Sequence, residues 1–403
     1  VNNFPPVRGG SAVVYANLAR CAADRVIVVA PRLAYTDGLP FIGWREHDRG
    51  QPYRTIRLPL LRTQMPGRAP RGAARALFLM KDAFLRARLL SHLLRLIATQ
   101  GVRTICIGEL QASGWIVRLF AGIPGIRTAI YVHGEEITTD DAYDADHARA
   151  RRALLSSDVI IVVSRFTEHA VARLLGKEGR GRTTLIENGV DGGRFTPGAK
   201  APDLLDLYGL RNCFVFVSVC RLLEKKGVDN ALRAFARVHA AAPDTRCLIV
   251  GAGPFRATLE SLSDGLGLSH AVAFTGQVAH DELVDHYRLG DVFVMPNREL
   301  ANGDTEGFGL VFLEANSCGL PVIAGQDGGS TDAVQDGVNG LVVDGRSVDA
   351  IAAAMTRLHT DAALRATLQT GGLAAAAAAG WAEKTALFLS LCERERRQNR
   401  APL

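Results

Sequence analysis

The chain has 403 residues, 48% of them apolar and 22% charged, with a formal net charge of +6, a length that fits two domains with separate cores better than one. No apolar run reaches the ~18 residues of a membrane-spanning helix, and the opening Val1-Asn2-Asn3-Phe4-Pro5-Pro6 lacks the basic start and apolar stretch of a secretory leader. The seven cysteines are scattered, with no Cys-x-x-Cys pair, which argues against a disulfide framework or zinc knuckle and for a reducing cytosol.

Short β-branched runs recur along the chain between helical stretches. Val26–Val29, Thr104–Ile107, Ala129–Val132 and Val159–Val163 read as strands in the first half, and Phe214–Val217, Cys247–Val250, Val292–Met295 and Pro321–Ile323 in the second. Continuously apolar strands alternating with helices predict an α/β fold with parallel sheets built from βαβ units. Ligands of such sheets bind beyond the carboxyl ends of the strands. The stretch Asp191-Gly192-Gly193-Arg194-Phe195-Thr196-Pro197-Gly198 lies midway and reads as an interdomain hinge. Residues 1–195 and 196–380 then each carry a Rossmann-like sheet. Asn2–Ser11 reads as the loop after a first strand, so the first sheet is expected to lack that strand, at a cost in core burial. Ala374–Ala379 reads as helical, without chemistry.

Charge is unevenly distributed. Residues 1–200 hold 29 Lys/Arg against 17 Asp/Glu, and the remainder 18 against 24. The basic excess is densest from Arg45 to Arg103, with 13 cations and three acids, a patch suited to an anionic partner. Residues 74–97 read as a helix apolar on most sides with Lys81, Arg88 and Arg95 on one stripe, which fits either an anionic membrane surface or a core helix with a solvated edge.

Four segments could carry chemistry. In Asp304-Thr305-Glu306-Gly307-Phe308-Gly309-Leu310-Val311-Phe312-Leu313-Glu314, two carboxylates flank a flexible turn that opens a helix. Glycines at 307 and 309 permit close backbone approach, and the helix N-terminus offers N–H groups to a diphosphate. Glu306 can then grip sugar hydroxyls, and Glu314, read as two turns into the helix, ribose hydroxyls. The bland alternative is two glutamates that flank a helix by chance. In Arg221-Leu222-Leu223-Glu224-Lys225-Lys226-Gly227, directly after a strand, Arg221 and Lys226 can neutralise a departing nucleoside diphosphate; loop cations more often face solvent. Gly9-Gly10-Ser11 opens a helix and could hold a phosphate, or serve only as a turn. His133, at a strand end before Gly134-Glu135-Glu136, could face a sugar or simply pack. Gly251-Ala252-Gly253-Pro254-Phe255-Arg256 has Arg where a dinucleotide fingerprint needs its third glycine, which argues against NAD. Asp144-Ala145-Asp146 reads as a solvated acidic loop rather than a metal site.

Taken together and in order, these segments resemble the retaining glycosyltransferases of the GT-B fold, family 4. The resemblance covers Gly9-Gly10, His133-Gly134, Glu187-Asn188-Gly189-Val190-Asp191, Arg221 with Lys226-Gly227, Gly251–Pro254, Glu306 with Glu314, and Gly328-Gly329. It implies two facing Rossmann-like domains with a deep cleft, and a last helix at about 381–397 crossing back onto the first domain. Arg221 and Lys226 would hold the diphosphate. Glu306 would contact the sugar and Glu314 the ribose. Gly9, Gly10, Gly253 and the backbone at Phe308, Gly309 and Leu310 would line the donor, with His133 beside the transferred sugar. It implies no metal and no cofactor, and no nucleic-acid partner. The segment Pro296–Glu306 is most similar to mannosyltransferases that build phosphatidylinositol mannosides. The expected reaction is transfer of a hexose from a GDP- or UDP-sugar to an envelope lipid or glycan, by a cytoplasmic enzyme peripheral to the membrane. A sugar-nucleotide epimerase and a non-catalytic nucleotide-sugar-binding module are the alternatives. Asp332 departs from the family, which often has Glu after its Gly-Gly turn.

Overall fold

The computed structural model describes residues 1–7, 9–64, 71–139, 144 and 147–393. The first half runs α1 (Gly10–Ala22), β1 (Ile27–Pro31), α2 (Trp44–Arg49), β2 (Arg54–Leu58), α3 (Gly72–Gln100), β3 (Thr104–Ile107), α4 (Leu110–Phe120), β4 (Arg127–Val132), α5 (Glu135–Thr138), α6 (Ala148–Ser156), β5 (Val159–Val162), α7 (Arg165–Leu175) and β6 (Thr183–Leu185). The second runs α8 (Pro202–Leu207), β7 (Phe214–Val219), α9 (Val228–Ala241), β8 (Thr245–Val250), α10 (Arg256–Gly265), β9 (Val272–Gly276), α11 (Leu283–Arg288), β10 (Val292–Met295), α12 (Leu310–Ser317), β11 (Val322–Gly325), α13 (Ser330–Ala333), β12 (Gly340–Val343), α14 (Val348–Thr360), α15 (Ala362–Ala378) and α16 (Trp381–Glu393).

The second half forms one six-stranded parallel sheet in the order β12-β11-β10-β7-β8-β9. Its strands are apolar on both faces because helices cover both; β7, β10 and β11 are buried almost throughout. Strand order reverses between β7 and β10, so the crevice for a ligand lies beyond their carboxyl ends. α12 is buried nearly all round, including Glu314 and Asn316. The helix therefore seats its N-terminus rigidly at that crevice.

The first half is built in two pieces. β3-β4-β5-β6 form one parallel sheet and β1-β2 another. Between them lies a cavity of about 920 Å³, lined on one side by Val26–Val29 and on the other by Thr104–Gly108. The Val1 amino group donates to the Val29 carbonyl at 3.0 Å, at the end of this slot.

The chain crosses between halves twice, and the crossings are bonded to each other. The Val190 N–H donates to the Ala379 carbonyl at 2.9 Å, beside a bridge between Val190 and Gly380. Gly189 is needed there, since a β-carbon would lie 2.7 Å from that same carbonyl. Beyond this point α16 packs along α1, with the Phe388 and Tyr131 rings 6.4 Å apart. The last positions of the expected terminal helix, 394–397, lie outside the described residues, as do Ala145 and Asp146; Asp144 accepts the Arg149 and Ala150 N–H groups and so caps α6. The cysteines are free.

Two expectations about helices need correction. Glu314 stands about one turn, not two, inside α12. α3 buries Leu85, Leu89, Leu93 and Leu96 in a single stripe at helical spacing and leaves Leu77, Leu79, Met80, Phe84 and Leu94 exposed, so its apolar residues extend beyond the buried face. Arg88 also leaves the proposed cationic stripe: it is partly buried and donates to the Leu60 carbonyl at 2.6 Å.

Candidate active site

The site grows from two loops at the switch point. After β7 the chain passes Arg221 and makes one turn of 3₁₀ helix over Glu224–Lys226. Three residues per turn point successive side chains about 120° apart, so adjacent lysines diverge. Lys226 turns to Glu306 and forms an ion pair and hydrogen bond with it, both side chains only 14% exposed. Burial alone would raise the Glu306 carboxyl. The charge and hydrogen bond of Lys226, the charge of Lys225 and the Phe308 N–H outweigh it and hold the group below the usual carboxylate range. Glu306 is thus an anion with its cation already in place. Arg221 lies in the same loop with an exposed side chain.

Lys225 turns the other way and is 6% exposed. Its ammonium donates to Glu135 Oε1 at 2.7 Å, Asp304 Oδ1 at 2.6 Å and the Thr305 carbonyl at 3.1 Å. Burial opposes the charged form, but Glu135 and Asp304 together hold the ammonium above its ordinary value.

His133 directly follows β4 and faces this turn from the first half. The Tyr15 hydroxyl donates to the Gly108 carbonyl at 2.5 Å and lies 2.7 Å from His133 Nε2. With the single phenolic proton spent on the carbonyl, Nε2 carries the imidazole proton and Nδ1 its lone pair. Burial pushes the imidazole down to about 4 despite Glu109 and Glu135, so His133 is neutral at physiological pH. Glu136 accepts the His133 and Gly134 N–H groups at 3.2 and 3.0 Å and folds the turn; burial raises it to about 7.

The two halves touch along this line. A β-carbon on Gly307 would lie 2.1 Å from the His133 carbonyl oxygen, and one on Gly303 2.1 Å from that of Thr138. A β-carbon on Gly329 would lie 2.1 Å from the Gly307 carbonyl oxygen and 2.9 Å from Ser164 Oγ. Asp332 Oδ2 accepts the Phe166 N–H at 3.4 Å, so the departure at this position meets the first half rather than the crevice. Gly307 therefore serves a protein–protein approach as well as any ligand. Gly309 caps α12 at φ 89°, where a β-carbon would strike the Phe312 ring. Phe308 is buried. Gly10 opens α1 opposite Leu310, its β-carbon position 3.9 Å from Leu310 Cδ1, and Gly9 faces open space. Neither helix has a side-chain N-cap, so two sets of free N–H groups meet here. Gly253 is set back: its close approach is to the Leu222 carbonyl, 2.2 Å from a β-carbon, and it supports the Arg221 loop from behind.

Glu314 is apart from Glu306. Its Oε2 accepts the buried Tyr287 hydroxyl at 2.7 Å. It lines a small cavity of about 30 Å³ with Arg194, Asn17 and Trp381 at the hinge. Burial raises its carboxyl above the usual range, with Tyr287 and Arg194 pulling the other way.

Comparison with known proteins decides the family. Residues 8–194 match the family described as Glycosyltransferase Family 4, and 211–372 that described as Glycosyl transferases group 1. A GDP-mannose-dependent alpha-(1-6)-phosphatidylinositol monomannoside mannosyltransferase of Mycobacterium tuberculosis is 32% identical over 366 residues, covering 89% of this chain and 88% of that protein. The chain belongs to glycosyltransferase family 4. The Mycolicibacterium smegmatis protein of the same name is 35% identical over 284 residues, covering 70% of this chain and 74% of its own. The fold is GT-B: the structure of Anabaena HepE with UDP superposes with a TM-score of 0.73 at 20% identity, covering 95% of this chain and 96% of that one. As a family 4 member this protein is a hexosyltransferase, with its nucleotide-sugar chemistry expected where the two halves meet. Sequence reasoning located Lys226, Glu306 and His133, which lie on the two facing turns. It missed Lys225, Glu135, Asp304 and Tyr15. Nothing local in the sequence marks Lys225 as the inward-facing lysine of the doublet; its partners Glu135 and Asp304 come from distant segments.

Proposed function

We propose that this enzyme transfers a hexose of the mannose or glucose type, with retention, from a GDP- or UDP-sugar to a lipid or glycan acceptor of the cell envelope. The observation that carries this reading is the buried Lys226–Glu306 pair, set at the uncapped N-terminus of α12 and facing His133. Donor binding would exchange partners. Lys226 and the exposed Arg221 would meet the diphosphate, with N–H groups at Gly309, Leu310 and the start of α1 around it. Glu306, released from its cation, would accept sugar hydroxyls. Glu314 has Oε1 left for a ribose hydroxyl while Tyr287 holds Oε2. Neutral His133 would lie beside the reacting carbon. The bond from that carbon to the diphosphate breaks as the bond to the acceptor oxygen forms on the same face, and the acceptor proton passes to the departing diphosphate. On this reading the side-chain cations meet the leaving charge and no metal takes part. Residues 1–195 would receive the acceptor and 196–380 the donor.

The activities of the two mycobacterial relatives make GDP-mannose and phosphatidylinositol monomannoside the first substrates to assay. Transfer that falls by about 10²–10³ in Lys226→Ala and Glu306→Ala supports the proposal, the usual cost of removing an electrostatic contact to the transition state. Donor epimerised without acceptor, or bound without turnover, would sink it.

The acceptor side would rest on an anionic membrane. α3 exposes Leu77, Met80 and Phe84 beside Lys81 and Arg95, an apolar strip with cations suited to lipid headgroups. The attachment proposed is peripheral, at the cytoplasmic face, through this strip; no helix among the described residues is long and apolar enough to cross a membrane. Flotation with phosphatidylinositol-containing vesicles tests this: Lys81→Glu/Arg95→Glu should abolish it, and unchanged flotation removes the membrane from the account.

A further inference from the structure

Lys225 joins the two halves at one ammonium. Glu135 opens α5, two residues after His133; Asp304 and Thr305 lead directly into Glu306. A lysine ammonium has three N–H donors, and the three acceptors here use all of them. Two of the bonds stay within the second half. Only the third, to Glu135, crosses to the first.

The partners differ in a way that matters for motion. Lys225 is 8% exposed at its side chain and Asp304 23%, whereas Glu135 is 63% exposed. Glu135 can therefore return to water at little cost, while the ammonium keeps Asp304 and Thr305. An ion pair with one well-solvated member is weak and salt-sensitive. It is strong enough to bias two positions of the halves and weak enough to break in each cycle. The contacts it guards are the His133 carbonyl on Gly307 and the Thr138 carbonyl on Gly303, both within a few residues of its ends.

We propose that Lys225 is a positioning residue: a latch that holds the cleft closed through Glu135 and so sets the spacing between His133 and the Lys226–Glu306 pair. It touches no reacting atom. This rests on the reading of that pair as the donor site, but its first readout does not depend on it.

The test is Glu135→Gln and Glu135→Lys in the full chain, with Lys225→Arg as the conservative variant. Small-angle scattering should report a larger radius of gyration for both Glu135 variants at low salt. Wild type should approach that value at 0.5 M NaCl, with Lys225→Arg remaining near wild type. With GDP-mannose as donor, KM should rise about two- to fivefold in Glu135→Gln, the range of a partly exposed ion pair, and lose its salt dependence, with kcat changed less. Scattering and KM both unchanged in Glu135→Lys would overturn the latch. So would a loss of kcat with unchanged scattering, which would give Glu135 a chemical role instead. If Glu306→Ala leaves turnover intact while the Glu135 variants still open the cleft, the donor-site reading fails and the latch stands.

Discussion

Tyr287→Phe removes one oxygen from the core of the second half and nothing else. Tyr287 is 0% exposed and Glu314 9%, and the hydroxyl donates to Oε2 at 2.7 Å. A hydrogen bond to a charged acceptor contributes ~1.5–3 kcal/mol net, the lower end applying if water from the neighbouring cavity of about 30 Å³ reaches the carboxylate. For a domain of this size that corresponds to a fall of roughly 3–12 °C in Tm. The cost should depend on pH, with a definite sign. Burial raises Glu314 in the folded state above its unfolded value, and Tyr287 partly offsets this. A carboxyl raised on folding contributes stability below its unfolded pKa, and that contribution is lost as pH rises. Without Tyr287 the carboxyl is raised further, so the mutant should lose its full increment at pH 8 and less at pH 5, where protonation relieves the unpaired charge. Urea denaturation of wild type, Tyr287→Phe, Glu314→Gln and the double variant at both pH values isolates the coupling. Coupling below ~0.5 kcal/mol at pH 8, or equal coupling at the two pH values, would refute the assignment of a charged hydrogen bond.

Two further outcomes follow from the facing turns. Glu136 is raised to about 7 and His133 lowered to about 4. The Glu136 contribution is present below about 4.5 and lost as pH rises to about 7; that of His133 is present above about 6.5 and lost as pH falls to about 4. At most about 3 kcal/mol each, they oppose one another, so wild-type stability should be nearly flat from pH 5 to 6.5. Glu136→Gln removes one slope, and its Tm should climb with pH across that interval; a flat variant profile contradicts the assignment. Gly307→Ala places a β-carbon 2.1 Å from the His133 carbonyl. The halves have to part there, so KM for the donor should rise at least tenfold while urea stability changes by less than about 1 kcal/mol, since no core side chain is displaced; a KM equal to wild type would mean the contact is absent in solution.

The strands missed in the sequence are all edge strands, whereas the edge strands β1 and β3 were legible because each carries a continuous apolar run. The eight read from apolar runs include every interior strand of the three sheets. The four missed are β2, β6, β9 and β12, and each is the outer edge of its sheet. A strand paired on one side and half open to water needs no continuous apolar run, and their burial is mostly partial, complete only at Leu58, Gly276, Gly340 and Leu341. At the site, Gly-Phe-Gly between two carboxylates marked Glu306 because a glycine-framed turn before an apolar helix has a short-range signature. Lys225 with Glu135 had none: the two are 90 residues apart, and only the docking of one half on the other brings them together. The same holds for Glu314, whose motif placed it at the donor but whose bond to Tyr287 depends on how α11 packs beneath α12.

The split first sheet has a bearing on how the molecule opens. β1 and β2 bond to each other but to no strand of the β3–β6 sheet, so the apolar cluster in which Leu89 and Leu93 of α3 join Leu58 to Ile105, rather than a ladder of shared amides, carries the join. Cooperative units in a protein follow such joins. The β1–β2 pair should therefore behave as its own foldon, surrendering its amide protons to deuterium before β4 and β5 do. The turn that carries His133 follows β4, on the slower-exchanging side of that boundary. The amides of β4 that lead to His133 should therefore keep their protection while β1 and β2 exchange.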